Sequence, residues 1–175
     1  MNPTTIDYPD LEELPGDLRE AVLSRGSLNI YRMVTHSPGL AASFLTMASD
    51  VLQHNSLPPG WRELAILRAG HAYGAGYEVH HHNNIGRAVG LDDAALAAVA
   101  DEAAEGLGAT EAAVVRCTDL LLAQHTLTDS ELDAALTHLT VNQFADLVLT
   151  VGFYQLVCNF LNTFRVTPEG EGTGL

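Results

Sequence analysis

The segment from Val141 to Phe164 does most to limit what this chain can fold into. It is apolar on nearly all sides, through Leu147, Val148, Leu149, Val151, Phe153, Leu156, Val157, Phe160 and Leu161. A helix of that kind must be covered all round by lipid, by a protein core or by another subunit. Asp146, Gln155, Asn159 and Asn162 interrupt it too often for lipid. A central core helix or a subunit interface is therefore expected, and a membrane partner is not.

The rest of the chain reads as helices that could surround it. Pro15-Gly16-Asp17 precedes Leu18 to Arg25, with Gly26 placed to end that helix. Ser37 and Pro38 serve as cap and first residue of a longer segment through about Gln53. Pro58-Pro59 starts a helix carrying Trp61, Leu64, Ile66 and Leu67, Gly74-Ala75-Gly76 interrupts it, and a further helix from Tyr77 to Val89 closes at Gly90. Asp92 caps an alanine-rich helix to about Ala104, the loop Gly106 to Ala109 follows, and Thr110 opens a helix through about Gln124. Thr128 with Glu131, and Thr140 with Gln143, match the pattern in which cap side chain and backbone satisfy each other. No stretch alternates apolar and polar residues between hairpin turns, so the class is all-α. At 175 residues the chain suits a single domain from Pro15 to Thr167, with loose ends at Met1 to Leu14 and Pro168 to Leu175.

Twenty-two acidic residues against eight Lys and Arg give a formal charge of -14, a field that repels nucleic acid and anionic lipid. Met1 to Asp10 lacks the basic region and apolar run of a secretory signal, which makes the cytosol the expected address. Cys117 and Cys158 both fall inside apolar helical patterns and read as small core residues.

The densest titratable cluster is Glu63 on one helix with Glu78, His80, His81 and His82 on the next. Glu78 and His82 are four apart and share a face, whereas His80 and His81 diverge from His82 by about 200° and 100°. If the Gly74-Ala75-Gly76 break folds the helices back to back, Glu63 approaches the same pair. A carboxylate on one ring nitrogen then fixes the tautomer for proton transfer at the other, and two close carboxylates resist joint ionisation. The plain alternative is a surface ion pair at four-residue spacing, worth a few tenths of a kcal/mol. Glu-x-x-x-His with Glu63 could also hold zinc, but consecutive histidines diverge and neither a Cys nor a second His joins the face, so no metal is expected. Tyr77 and His81 beside the cluster, and Arg32 and His36 upstream, are candidate substrate-binding residues.

Trp61-Arg-Glu-Leu-Ala-Ile-Leu-Arg-Ala, Gly76-Tyr-Glu-Val-His-His-His and Arg87-Ala-Val-Gly-Leu-Asp-Asp resemble the carboxymuconolactone decarboxylase family, which includes the AhpD-like alkylhydroperoxidases. The run from Leu139 to Asn162 resembles the closing helices of longer members. The resemblance implies an AhpD-like helical bundle assembled as trimers or hexamers. The peroxidase branch carries a glutamate, then a Cys-x-x-Cys, then a histidine four residues after the second cysteine. Glu63 and His82 fall on the glutamate and histidine, but the cysteine positions fall on Ala75 and Glu78. The likeness is thus to the decarboxylase branch, implying cofactor-free acid and base chemistry at Glu63, Glu78 and His82. A decarboxylation without cofactor needs a place for the departing electrons, so a lyase or isomerase acting on a small keto acid, enone or lactone is expected, with His82 as principal acid or base, Glu78 orienting it and Glu63 assisting. On this reading His82 accepts a proton and a glutamate donates one, giving a bell-shaped pH profile. A non-catalytic ligand-binding or scaffold protein of the same fold is the alternative from another class, and a peroxidase-related oxidoreductase is a third.

Overall fold

The computed structural model describes residues 5–170, and the expectations for residues 1–4 and 171–175 lie outside it. Among the described residues there are nine α-helices, one 3-10 turn and no strand. The chain divides into two compact units, residues 1–54 with 160–175 and residues 55–159.

The first unit contains the 3-10 turn Leu11–Glu13, α1 (Gly16–Leu23), α2 (Asn29–Val34) and α3 (Pro38–Gln53). Leu18, Val22, Val34, Ala41 and Leu45 form its core, with Leu11, Leu14 and Phe160 packed against it. Helix α1 gives way before Arg25 to a turn in which the Arg25 and Ser27 amides donate to Val22 O and Gly26 takes a positive φ of 77°, while the Ser24 hydroxyl (3.1 Å) and the Arg25 guanidinium (2.8 Å) both donate to Ala21 O. Ser37 precedes α3 without making a side-chain cap; its carbonyl accepts from the Leu40 and Ala41 amides. The short α2 had no cap or periodicity signal in the sequence.

The second unit is built on α4 (Pro59–Ala72), in which every residue from Arg62 to Gly70 is buried. Its neighbours are α5 (Gly76–Ala88), α6 (Asp93–Ala100) and α7 (Ala109–Gln124), with α8 (Asp129–Leu136) against α7. On one side of α4, Ala65 joins Leu57, Val114, Leu139, Leu147 and Val151. On another, Leu64 and Leu67 join Leu91, Leu96, Val99 and Val115. Each leucine so buried contributes roughly 1.5–3 kcal/mol.

Helix α6 ends at Ala100 rather than near Ala104: Asp101 is extended at φ -86° and ψ 141°, and Arg68 holds carbonyls on either side of the break. Its guanidinium donates to Val99 O (3.1 Å), Asp101 O (2.6 Å) and Glu102 O (3.1 Å), and grips the Asp119 carboxylate at 2.6 and 3.0 Å. Arg68→Met is expected to lower unfolding stability by about 2–4 kcal/mol, since it leaves these acceptors without their donor; urea denaturation monitored by circular dichroism checks this. Helix α7 begins at Ala109, before Thr110, because the Gly108 amide donates to the Glu111 carboxylate at 2.9 Å. The boxes at Thr128/Glu131 and Thr140/Gln143 form as the sequence predicts.

Helix α9 (Val141–Phe164) runs 24 residues and is long and apolar enough to cross a membrane. Within the second unit, however, its inner face is a protein-core face, burying Leu147, Thr150, Val151, Tyr154, Val157 and Cys158. Its polar groups are paired inside: Asp146 accepts from the Ser56 amide at 2.7 Å, and Thr150 accepts from Asn55 at 2.9 Å.

Candidate functional site

Glu63 is buried because it sits in the middle of α4, the helix covered on all sides. Two local features bring α5 against it. Gly74, at φ +59°, turns the chain, and Gly70 permits close approach, since a methyl group there would lie 3.2 Å from Val79 Cγ2 and 3.6 Å from Glu78 Cβ. Glu78 and His82 then face α4 one turn apart.

The result is a buried chain of alternating charge. His82 Nδ1 lies 2.6 Å from Glu63 Oε2, and Nε2 lies 2.8 Å from Glu78 Oε1. Arg62 closes the far end, its Nε and Nη2 each donating to Glu63 Oε1 at 3.1 Å. Glu63 is 0%, Glu78 4% and His82 6% exposed. Both imidazole nitrogens therefore address carboxylate oxygens, which only accept, so the geometry suits a ring carrying both protons. Burial alone would lower the His82 pKa, but the Glu78 charge, the hydrogen bonds to Glu63 and Glu78 and the Glu63 charge outweigh it and raise it to about 9. With His82 protonated, Arg62, Glu63, His82 and Glu78 sum to zero charge. A ring protonated on both nitrogens differs from the neutral His82 that proton acceptance requires.

Tyr154 of α9 completes the site, its hydroxyl 3.3 Å from His82 Nε2 and its ring edge-on to the imidazole at 5.2 Å. Neither Tyr154 nor Arg62 was singled out by sequence. Among the proposed binding residues, Tyr77 is buried beside the cluster on α5 and packs on His81 with ring centroids 4.4 Å apart. Arg32 and His36 belong to the first unit, where Arg32 lies over the Tyr8 ring at 5.2 Å and His36 Nε2 is 2.9 Å from Asp7 O. Among the described residues no group of three or more His, Cys, Asp or Glu side chains is arranged to hold a metal ion. A cavity of about 350 Å³ between α7 and α8 shares no lining residue with the cluster.

Residues 38–120, which include Glu63, Glu78 and His82, match the model of the carboxymuconolactone decarboxylase family. Solved structures of similar fold include an uncharacterized peroxidase-related protein with an alkylhydroperoxidase AhpD core from Ralstonia eutropha JMP134. It is 22% identical, with a TM-score of 0.84 over 95% of this chain and 92% of that one. A peroxidase-related protein from Silicibacter sp. is 15% identical, with a TM-score of 0.82 over 99% and 96% of the two chains. No curated protein matches the chain. The family match thus covers residues 38–120, and the solved structures show that the chain shares the AhpD-like fold.

Unlike the dithiol pattern of the peroxidase branch, Ala75 and Glu78 offer no sulfur, and the two free cysteines are buried. Burial, with a contribution from the Glu78 charge, pushes the Cys158 thiol up to about 12, and burial also raises Cys117. Neither supplies thiolate near neutrality. Hydrogen peroxide with dithiothreitol as donor is expected to disappear no faster than in buffer; consumption abolished by alkylation would contradict this.

Proposed function

We propose that this chain is a cytosolic, cofactor-independent acid–base enzyme, a decarboxylase-type lyase or an isomerase acting on a small keto acid, enone or lactone. The observation that carries this reading is the buried imidazole held between two carboxylates, a donor and acceptor of protons prepared in one place. In a decarboxylation the bond to the departing carboxylate breaks, carbon dioxide leaves, and the electron pair passes into the neighbouring carbonyl or enone as an enolate. His82 protonates the resulting carbon and recovers its proton from water. Glu63, held by Arg62, keeps the ring oriented while Nε2 gives up its proton. Isomerisation uses the same groups, with Glu78 removing a proton beside the carbonyl and His82 returning one elsewhere on the conjugated system.

The near-complete burial of the cluster favours a second reading, in which the ion chain only holds a binding or scaffold protein together. Turnover of a panel of β-keto acids, enones and unsaturated lactones separates the two. On the enzyme reading, activity holds through neutrality and falls on an alkaline limb near pH 9, the value of His82. Glu78→Gln removes the charge that raises that value, so the limb moves to lower pH. If no member of the panel turns over, the scaffold reading stands; if the limb is unmoved in Glu78→Gln, Glu78 does not act on His82.

A further inference from the structure

The cavity of about 350 Å³ between α7 and α8 takes no part in the chemistry proposed for His82. Protein interiors are packed so closely that an unfilled space much larger than a water molecule is uncommon. Side-chain size keeps this one open. Ala112 and Ala113 of α7 and Ala134 and Ala135 of α8 line it, where longer apolar side chains would reach into the gap. Cys117 and Leu120, 3% and 4% exposed, complete an apolar wall. An apolar cavity of about 150 Å³ accommodates benzene, so this one has room for a fused two-ring body.

The polar lining consists of Arg116, Glu131, Thr137 and His138. Two of these are already engaged. The Thr137 hydroxyl donates to Ala134 O at 2.7 Å, and Glu131 Oε2 accepts from the Thr128 amide and hydroxyl, each at 2.8 Å. Arg116 is different. Arg62, Arg68 and Arg87 hold their carboxylates at 3.1, 2.6 and 3.1 Å, whereas Arg116 Nη2 stands 3.9 Å from Glu131 Oε1. That is beyond hydrogen-bond distance, and it leaves the guanidinium donors for another acceptor.

A guanidinium with open donors beside an apolar space selects a carboxylate carried on an apolar body, because its planar fork receives both oxygens at once. Charge limits the ligand further. The Thr128 hydrogen bonds hold the Glu131 carboxyl below the usual carboxylate range, so it stays ionised nearby, and the chain has a formal charge of -14. One guanidinium in that field suits one negative charge and disfavours two. We propose that the α7–α8 cavity binds a small apolar monocarboxylic acid, its body among the four alanines and its carboxylate on Arg116, with the exposed His138 ring offering a further N–H. The cavity shares no lining residue with Glu63, Glu78 or His82, so this site stands whatever chemistry His82 performs.

Calorimetric titration of the full chain with 2-naphthoate is expected to show saturable binding with a Kd below about 1 mM. Methyl NMR of alanine-labelled protein is expected to place the largest shifts at Ala112, Ala113, Ala134 and Ala135. The uncharged 2-naphthylmethanol should bind about tenfold more weakly, and Arg116→Gln, an exposed position, should bring the acid down to the level of the alcohol. Ala113→Leu, which fills the cavity, should weaken both at least tenfold, and His82→Gln should change neither. Circular dichroism shows that each variant is folded. The absence of saturable binding, an alcohol bound as tightly as the acid, or unchanged affinity in Arg116→Gln or Ala113→Leu would each overturn the proposal. So would affinity lost in His82→Gln, which would assign the acid to the buried ion chain.

Discussion

If the proposed acid–base chemistry holds, His82→Gln is expected to lower turnover of any substrate the protein accepts by about 10²- to 10⁴-fold, the usual contribution of a positioned proton-transfer group. Glutamine still donates a hydrogen bond toward a neighbouring carboxylate but cannot exchange a proton near neutrality. The loss should fall on kcat more than on KM, because the missing event belongs to the chemical step. Tyr154→Phe removes only a hydroxyl 3.3 Å from Nε2 and should cost about 1 kcal/mol, roughly fivefold. Steady-state kinetics on the first substrate identified give both values, with circular dichroism showing that each variant is folded. Equal kcat in wild type and His82→Gln would remove His82 from the chemistry.

The second large effect is on stability. His82 rises from an ordinary value of 6.5 to about 9 on folding, so the folded state binds the proton more tightly than the unfolded chain. The resulting stabilisation is fully present below pH 6.5 and is lost as pH rises through about 9. At 1.36 kcal/mol per pH unit the whole effect is on the order of 3 kcal/mol. Urea denaturation at a series of pH values between 6 and 10 should therefore show a decline that Glu78→Gln shifts to lower pH. A flat profile in wild type would mean that the imidazole is no more easily protonated in the folded chain than in the unfolded one.

What the sequence discloses about this site depends on how far apart in the chain the partners lie. Glu78 and His82 are legible because a separation of four residues is a helical repeat, and the glycines around Ala75 indicate the reversal that brings Glu63 to them. Arg62 is not legible, because neighbours on a helix diverge by about 100°. Its side chain nevertheless folds back onto Glu63. Tyr154 stands 72 residues from His82, and only the packing of α9 joins them. The helix ends diverge from expectation for a similar reason: the break after α6 is held by Arg68, a side chain from another helix. The protonation state differs from expectation because spacing shows that carboxylates are near, whereas the depth of burial and the engagement of both ring nitrogens belong to the folded protein.

Nitrogen NMR of the His82 ring, with ¹⁵N-labelled histidine and His82→Gln for assignment, tests the central claim most directly. The site as described predicts two protonated ring nitrogens at pH 7.5 and a titration midpoint near 9. A midpoint near 6.5, or one bare nitrogen at pH 7.5, would contradict an imidazolium held between Glu63 and Glu78.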